Sequence, residues 1–153
     1  MSLTRHAKWR IKPKETAMYK KIIVPVDLSA TDKGEKILEK AKALLDPDGE
    51  IVLINVVEEL PGYMAIDLPV DLIENAIKDA KAKLSDLKTK AGFKGSQEIR
   101  SGAPAREIIA AAEEHKADLI IIASHTPDFS NYFIGATADR VVRHAKCSVL
   151  VDR

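Results

Sequence analysis

The sequence predicts an α/β protein, a three-layer sandwich built on a five-stranded parallel β-sheet. Short apolar runs rich in β-branched residues recur along the chain, as expected of strands buried on both faces of a parallel sheet. Between them lie stretches with apolar residues at helical spacing. Strands that alternate with helices indicate βαβ units with right-handed crossovers.

The elements can be placed in order along the chain. The strands are predicted at residues 22–26, 50–57, 96–100, 119–122 and 148–151. Four helices are predicted: one capped by Ser29 or Thr31, one over 69–91, one after 102–104, and one from Ala136 with Ala138, Val141, Val142 and Ala145 on its apolar face. Residues 46–49 are predicted to form a turn and residues 58–68 a loop. The short, polar third strand is expected at or near a sheet edge.

Composition bounds the function. The chain of 153 residues has a net charge of +1, but residues 1–21 hold seven basic residues against one acid, so the remainder is net negative. No apolar run approaches a membrane span, and the single cysteine, Cys147, fits a reducing compartment. A cytoplasmic protein is expected.

Residues 1–17 form a basic N-terminal extension, which is either native or a tag or alternative start. A basic run containing Trp9 is compatible with a nucleic-acid arm, but a solvated or packed tail is the favoured interpretation. We expect Trp9 and Ile11 to pack on the domain or on a neighbouring subunit.

The stretch from Leu119 to Asp152 carries the chemistry. An apolar strand is followed by a polar loop at 124–134, by Gly135, and by the helix that begins at Ala136. A small-residue loop that leads into a helix N-terminus presents backbone N–H groups to an anion. A phosphate site is therefore predicted here.

These residues carry a family resemblance. The segment IIASHTPDFSNYFIGATADRVVRHAKCSVLVDR and the opening YKKIIVPVDLS resemble the two ends of the universal stress protein family. The nearest subgroup, the F- and G-like proteins, has an A-S-H-x-P-D loop. The resemblance covers residues 18–153 and implies strand order 3-2-1-4-5, so that strands 1 and 4 flank the switch-point crevice where such sheets bind ligands.

The resemblance implies ATP, or the related ADP or AMP, in that crevice. The predicted binding residues are Pro25, Val26, Asp27, Val56, Ala123, Ser124, His125, Thr126, Gly135, Ala136 and Thr137. Asp27 would accept hydrogen bonds from ribose hydroxyls, or would instead cap the following helix. Val56 would line a slot for the purine, or belong to the core.

The loop departs from the nucleotide-binding signature of Gly, two residues, Gly, nine residues, Gly, then Ser or Thr. Ala123 and Thr126 replace the first two glycines, and Ala136 replaces the hydroxyl residue. Eight residues, not nine, separate Thr126 from Gly135. The added Cβ atoms restrict close approach to phosphate. Thr137 could supply the missing hydroxyl.

The remaining reactive side chains have ordinary explanations. His125 is predicted to contact ligand or loop rather than act as a general base, and no histidines have metal-ligand spacing. Cys147 is predicted to be a small buried hydrophobe. Asp128 is a turn residue, with contact to a phosphate-bound Mg²⁺ as the alternative.

Two functions remain open. One is a nucleotide-dependent stress-response regulator that is at most a slow ATPase, because no catalytic base is identified. The alternative is a dimeric interaction module with a degenerate phosphate loop. Cys147 to Asp152 would be an exposed apolar edge, and the family commonly pairs this edge, so a homodimer is expected.

Overall fold

A computed structural model of the protein describes residues 19–124 and 134–153. These residues form a five-stranded parallel sheet in the order β3-β2-β1-β4-β5, which confirms the predicted fold class and strand order. In chain order the elements are β1 (Tyr19–Pro25), α1 (Thr31–Leu44), β2 (Leu45–Val57), α2 (Gly62–Ala65), α3 (Val70–Ala91), β3 (Gly95–Ser101), α4 (Pro104–Glu114), β4 (Leu119–Ala123), α5 (Ala136–His144) and β5 (Ser148–Asp152).

Alternation along the central strands divides the core into two layers. Ile22 and Val24 face α1 and α3, where they pack with Leu38 and Leu84. Ile23, between them, faces the layer that α4 and α5 cover. Successive side chains of a strand point to opposite faces, so a continuous apolar run is what a sheet covered on both sides requires.

Strand β2 is longer than predicted, because the expected turn at 46–49 lies within it. The pairing jumps there: Tyr19 of β1 is level with Leu45, but Lys21 is level with Glu50. The Asp48 N–H donates to the Asp46 carboxylate over 3.0 Å, the local bond that favours a turn at such residues. The turn chemistry is present as an irregularity in a strand rather than as a connection.

The helices depart from expectation in several places. A short helix, α2, lies in the predicted 58–68 loop. Ala30, not Ser29 or Thr31, occupies the N-cap of α1, with no side-chain cap bond. Val142 is 46% exposed, although Ala138 and Val141 of the same helix are buried. The buried face of α5 is therefore narrower than the pattern indicated and leaves out Val142.

Helix α3 buries much less of its predicted apolar face than expected. Leu84 and Leu87, in its C-terminal part, are its buried residues. Leu72 and Ile73, near its start, are 56% and 44% exposed. The packing of α3 on α1 thus covers only its later turns.

The two sheet edges differ in character. At the β3 edge, predicted correctly, Arg100 donates to Glu98 and Glu107 over 3.2 Å and to both carboxylate oxygens of Glu114 over 2.9 Å. Those bonds lower the pKa of Glu114. At the other edge, β5 carries Val149, Leu150 and Val151. The polar edge resists pairing with another strand, whereas the apolar one does not.

Candidate functional site

A cleft opens at the carboxyl ends of β1 and β4, where the chain leaves the sheet toward opposite faces. Its volume is about 560 Å³. Nine of the eleven predicted binding residues line it: Pro25, Val26, Asp27, Val56, Ala123, Ser124, Gly135, Ala136 and Thr137. The other two, His125 and Thr126, lie outside the described residues, as does Asp128. The strand order thus brings together segments almost 100 residues apart.

The side of the cleft formed by β1 and α1, here called the α1 wall, is organised by side-chain hydrogen bonds. Asp27 is exposed at its mouth, and Oδ1 accepts from the Ser29 N–H over 2.8 Å and from Ser29 Oγ over 2.6 Å. The carboxylate therefore bonds to the connection before α1, whose N-cap position is occupied by Ala30. That bonding holds a negative acceptor at the mouth of the cleft.

Asn55 is a cleft residue that sequence reasoning missed. Its side-chain amide donates to the Val26 carbonyl over 3.0 Å and ties the end of β2 to the end of β1. Its signal was available: it is the polar residue within the apolar run of β2. Val56, next to it, lines the cleft and also packs against the core.

The opposite side, the α5 wall, offers backbone groups and one hydroxyl. Gly135 has φ of +81° and ψ of 148° immediately before α5, and as the N-cap residue it supplies no side-chain cap bond within the described residues. The first amides of an α-helix lack an intrahelical acceptor, and the helix dipole adds a partial positive charge there. This wall therefore suits an anionic group.

Ser124 is the buried polar residue of the cleft. It is 5% exposed, and its N–H donates to the Asp152 carbonyl over 2.7 Å. Its Oγ has no hydrogen-bond partner within the described residues. A buried hydroxyl is normally satisfied, so an unpartnered one that lines a cleft marks a place where a polar ligand atom fits.

The formal charges of the cleft are few. Lys33 of α1 and Glu58 after β2 also line it, and neither was predicted. Within residues 19–124 and 134–153 no group of three histidine, cysteine or carboxylate side chains could hold a metal ion. Cys147 lies outside the cleft and is only half-buried, and this burial raises the pKa of its thiol. Cys147 packs against the core, as predicted for a small hydrophobe, but it is partly rather than completely buried.

Comparison with known proteins identifies the family. The family model described as "Universal stress protein family" matches residues 18–153. The chain belongs to the universal stress protein family. Universal stress protein G of Shigella flexneri is 33% identical over 145 residues, which cover 89% of this chain and all of that protein. This relative supports the F- and G-like subgroup inferred from the loop.

Solved structures share the fold. The hypothetical protein MJ0577 is 30% identical, with a TM-score of 0.73 over 88% of this chain and 95% of its own. A universal stress protein from Archaeoglobus fulgidus in complex with dAMP is 21% identical, with a TM-score of 0.60 over 89% and 99%. A universal stress protein in complex with cAMP is 18% identical, with a TM-score of 0.61 over 90% and 98%.

Proposed function

We propose that this universal stress protein binds ATP or a related adenine nucleotide in the cleft between β1 and β4 and acts as a nucleotide-dependent stress-response regulator. The observation that carries the proposal is the pairing of the two walls. A carboxylate stands at one side. At the other stand a helix N-terminus and a buried hydroxyl that, among the residues the structure describes, have no side-chain cap and no hydrogen-bond partner respectively. A cleft of about 560 Å³ is of the size that small-molecule sites have.

The chemistry of the walls assigns roles within the proposal. Asp27 accepts hydrogen bonds from the ribose hydroxyls, and Val56 contributes apolar surface to the purine slot. Ser124 Oγ and the first amides of α5, at Ala136 and Thr137, donate to phosphate oxygens. The dAMP and cAMP complexes support only that this fold accommodates an adenine nucleotide.

Any hydrolysis is proposed to be slow. Phosphoryl transfer needs a group that positions water and cations that stabilise the developing charge. Among the described residues of the cleft, Lys33 is the cation. Mg²⁺ would be held mainly by the phosphates, since the described part of the chain has no cluster of metal ligands.

Isothermal titration calorimetry with ATP, together with mass spectrometry of the denatured protein, tests the proposal. Co-purified adenine nucleotide or a saturable heat with ATP is expected. No nucleotide and no heat would instead favour the interaction module, which the replacement of two loop glycines and a hydroxyl by Ala123, Thr126 and Ala136 already suggests.

We also propose a cytoplasmic homodimer that pairs β5 edges. The last strand ends the sheet and is apolar, so its unpaired backbone groups are suited to a second copy. Analytical ultracentrifugation should give twice the mass of the 16.8 kDa chain. A monomer at micromolar concentration would contradict this arrangement.

A further inference from the structure

An exposed surface around α2 and the start of α3 is acidic and apolar together. Residues 58–77 include five acids and no lysine or arginine: Glu58, Glu59, Asp67, Asp71 and Glu74. All five are exposed. Seven large apolar side chains lie among them, at exposures from 44% to 81%: Leu60, Tyr63, Met64, Ile66, Val70, Leu72 and Ile73. We call residues 58–77 the acidic apolar surface.

The spacing of apolar residues on α3 indicates that its apolar face extends beyond the part that the domain buries, as expected where another segment packs on it. Val70, Ile73, Ile77, Ala80, Leu84 and Leu87 follow one another at three- and four-residue intervals, which places them on one face of the helix. Leu84 and Leu87 pack into the core that α1 shares. Val70 and Ile73 continue the same face but are 69% and 44% exposed. An apolar patch of this kind usually marks an interaction site.

The N-terminal extension has the complementary chemistry. Residues 1–17 contain five basic side chains and one acid, and their apolar residues include Trp9 and Ile11. A basic segment with apolar side chains matches a surface that is acidic and apolar, because opposite charges set the register while apolar contacts contribute affinity.

The extension is long enough to reach the surface of its own chain. It joins β1 at Tyr19, at the amino edge of the sheet, whereas residues 58–77 begin past the carboxyl end of β2. Seven strand residues span about 23 Å. Trp9 precedes Tyr19 by ten residues, so an extended chain carries it about 33–36 Å. A tethered segment binds at a high effective concentration, which favours its own chain over a second copy.

We infer that residues 1–17 dock on the acidic apolar surface of the same chain, with the basic residues against Asp67, Asp71 and Glu74 and with Trp9 over the exposed apolar side chains of α2 and α3. This site lies outside the nucleotide cleft of the proposed function, apart from Glu58 at their border. The docked extension would cover the part of α3 that the domain leaves exposed.

Trp9 is the single tryptophan of the chain, so its fluorescence reports on the extension alone. In the full-length protein its emission should lie to the blue of N-acetyltryptophanamide, and acrylamide should quench it several-fold less. Both the emission and the quenching should be the same at 1 μM and 100 μM protein if docking is within one chain. Weak association between chains would change across this range of concentrations.

Charge reversal at the surface tests the site. Asp71→Lys with Glu74→Lys should lower the ratio of docked to undocked extension roughly tenfold and return the quenching toward that of the free indole, because attractive exposed pairs become repulsive ones. The matched control, Asp48→Lys with Asp86→Lys, changes the net charge equally at exposed acids elsewhere and should change neither property. Reversing Arg10 and Lys12 to Glu in the first variant should restore the wild-type emission.

An apolar variant makes the test independent of charge. Ile66→Ser with Leu72→Ser should also expose Trp9, and circular dichroism should show unchanged folding because both side chains are already exposed. Free-indole emission in the wild type would overturn the inference. Protection that depends on protein concentration would also overturn it, in favour of docking on a second copy.

Discussion

The two walls of the cleft present polar groups in different ways. On the α1 wall, Asp27 and Asn55 are side chains held by hydrogen bonds to Ser29 and to Val26. On the α5 wall, Gly135 and the helix after it present main-chain amides, and the Ser124 hydroxyl has no partner within the described residues. Hydrogen bonds within the protein orient the side chains of the α1 wall, whereas the donors of the α5 wall are suited to an anionic ligand. Nucleoside recognition and phosphate recognition should therefore separate on mutation.

The largest expected effect is on the α1 wall. Asp27→Ala should weaken ATP and adenosine alike, by about 10- to 100-fold, because a hydrogen bond to a charged group contributes about 1.5–3 kcal/mol. Calorimetry with both ligands measures the loss. Asp32→Ala, which removes an acid from the first turn of α1, is the control and should leave both affinities unchanged. If Asp27→Ala also weakens 2′,3′-dideoxy-ATP, the carboxylate does not act through the ribose hydroxyls.

The next effect concerns the backbone of the α5 wall. Gly135→Ala places a Cβ at a φ of +81°, which should lower the free energy of unfolding by about 1–3 kcal/mol. The displaced helix start should weaken the binding of ATP more than that of adenosine. Urea unfolding and calorimetry measure the two consequences. Gly92→Ala is the control, since Gly92 has φ of +62° at the end of α3 and is not among the cleft residues. Gly92→Ala should lower stability while preserving the affinity for ATP. If the two variants lost affinity for ATP equally, Gly135 would not belong to the phosphate site.

A smaller effect is expected at Ser124. Ser124→Ala should weaken the binding of ATP about fivefold, because one hydrogen bond to the phosphate is lost. The affinity for adenosine should stay unchanged. The free energy of unfolding should stay the same or rise, because a buried hydroxyl without a partner costs stability. Lower stability at unchanged ATP affinity would show that the hydroxyl serves the fold instead of the ligand.

Lys33 should have the smallest effect. Lys33→Ala removes an exposed cation of the α1 wall, so ATP should bind about threefold more weakly, and the difference should shrink as salt screens the charge. Adenosine affinity serves as the internal reference. Lys36→Ala removes a lysine of the same helix that does not line the cleft, and this variant should match the wild type. A salt-independent loss would mean that Lys33 acts by packing.

Sequence reasoning located the cleft well because its residues follow strand ends. Asp27 comes directly after β1, and Ala123 and Ser124 come at the end of β4, so a correct strand order brings them together. Asn55 and Lys33 were missed because neither belongs to the loop signature. Asn55 lies inside a strand, and Lys33 reaches the cleft only because α1 starts beside it.

Sequence reasoning was weaker where packing decides. The apolar residues of α3 predicted a buried face, but burial depends on which neighbours reach it. In the described structure Leu84 and Leu87 are the buried residues of α3, in the core that α1 shares. Turn chemistry at Asp46 and Asp48 predicted a connection, yet the flanking residues remain within one strand, β2. Local preferences name what a segment favours, and tertiary contacts select among those preferences.

The sequence by itself determined the alternation of strands and helices, the family and the residues at the strand ends, because apolar periodicity and loop motifs are local properties of the chain. Only the tertiary structure decided which groups are available for binding. Three such properties depend on neighbours in space: the Ser124 hydroxyl without a partner among the described residues, the bonding of Asp27 to Ser29, and the exposure of Ile66. Burial and hydrogen-bond satisfaction depend on what lies nearby in space, and that is known once the chain has folded.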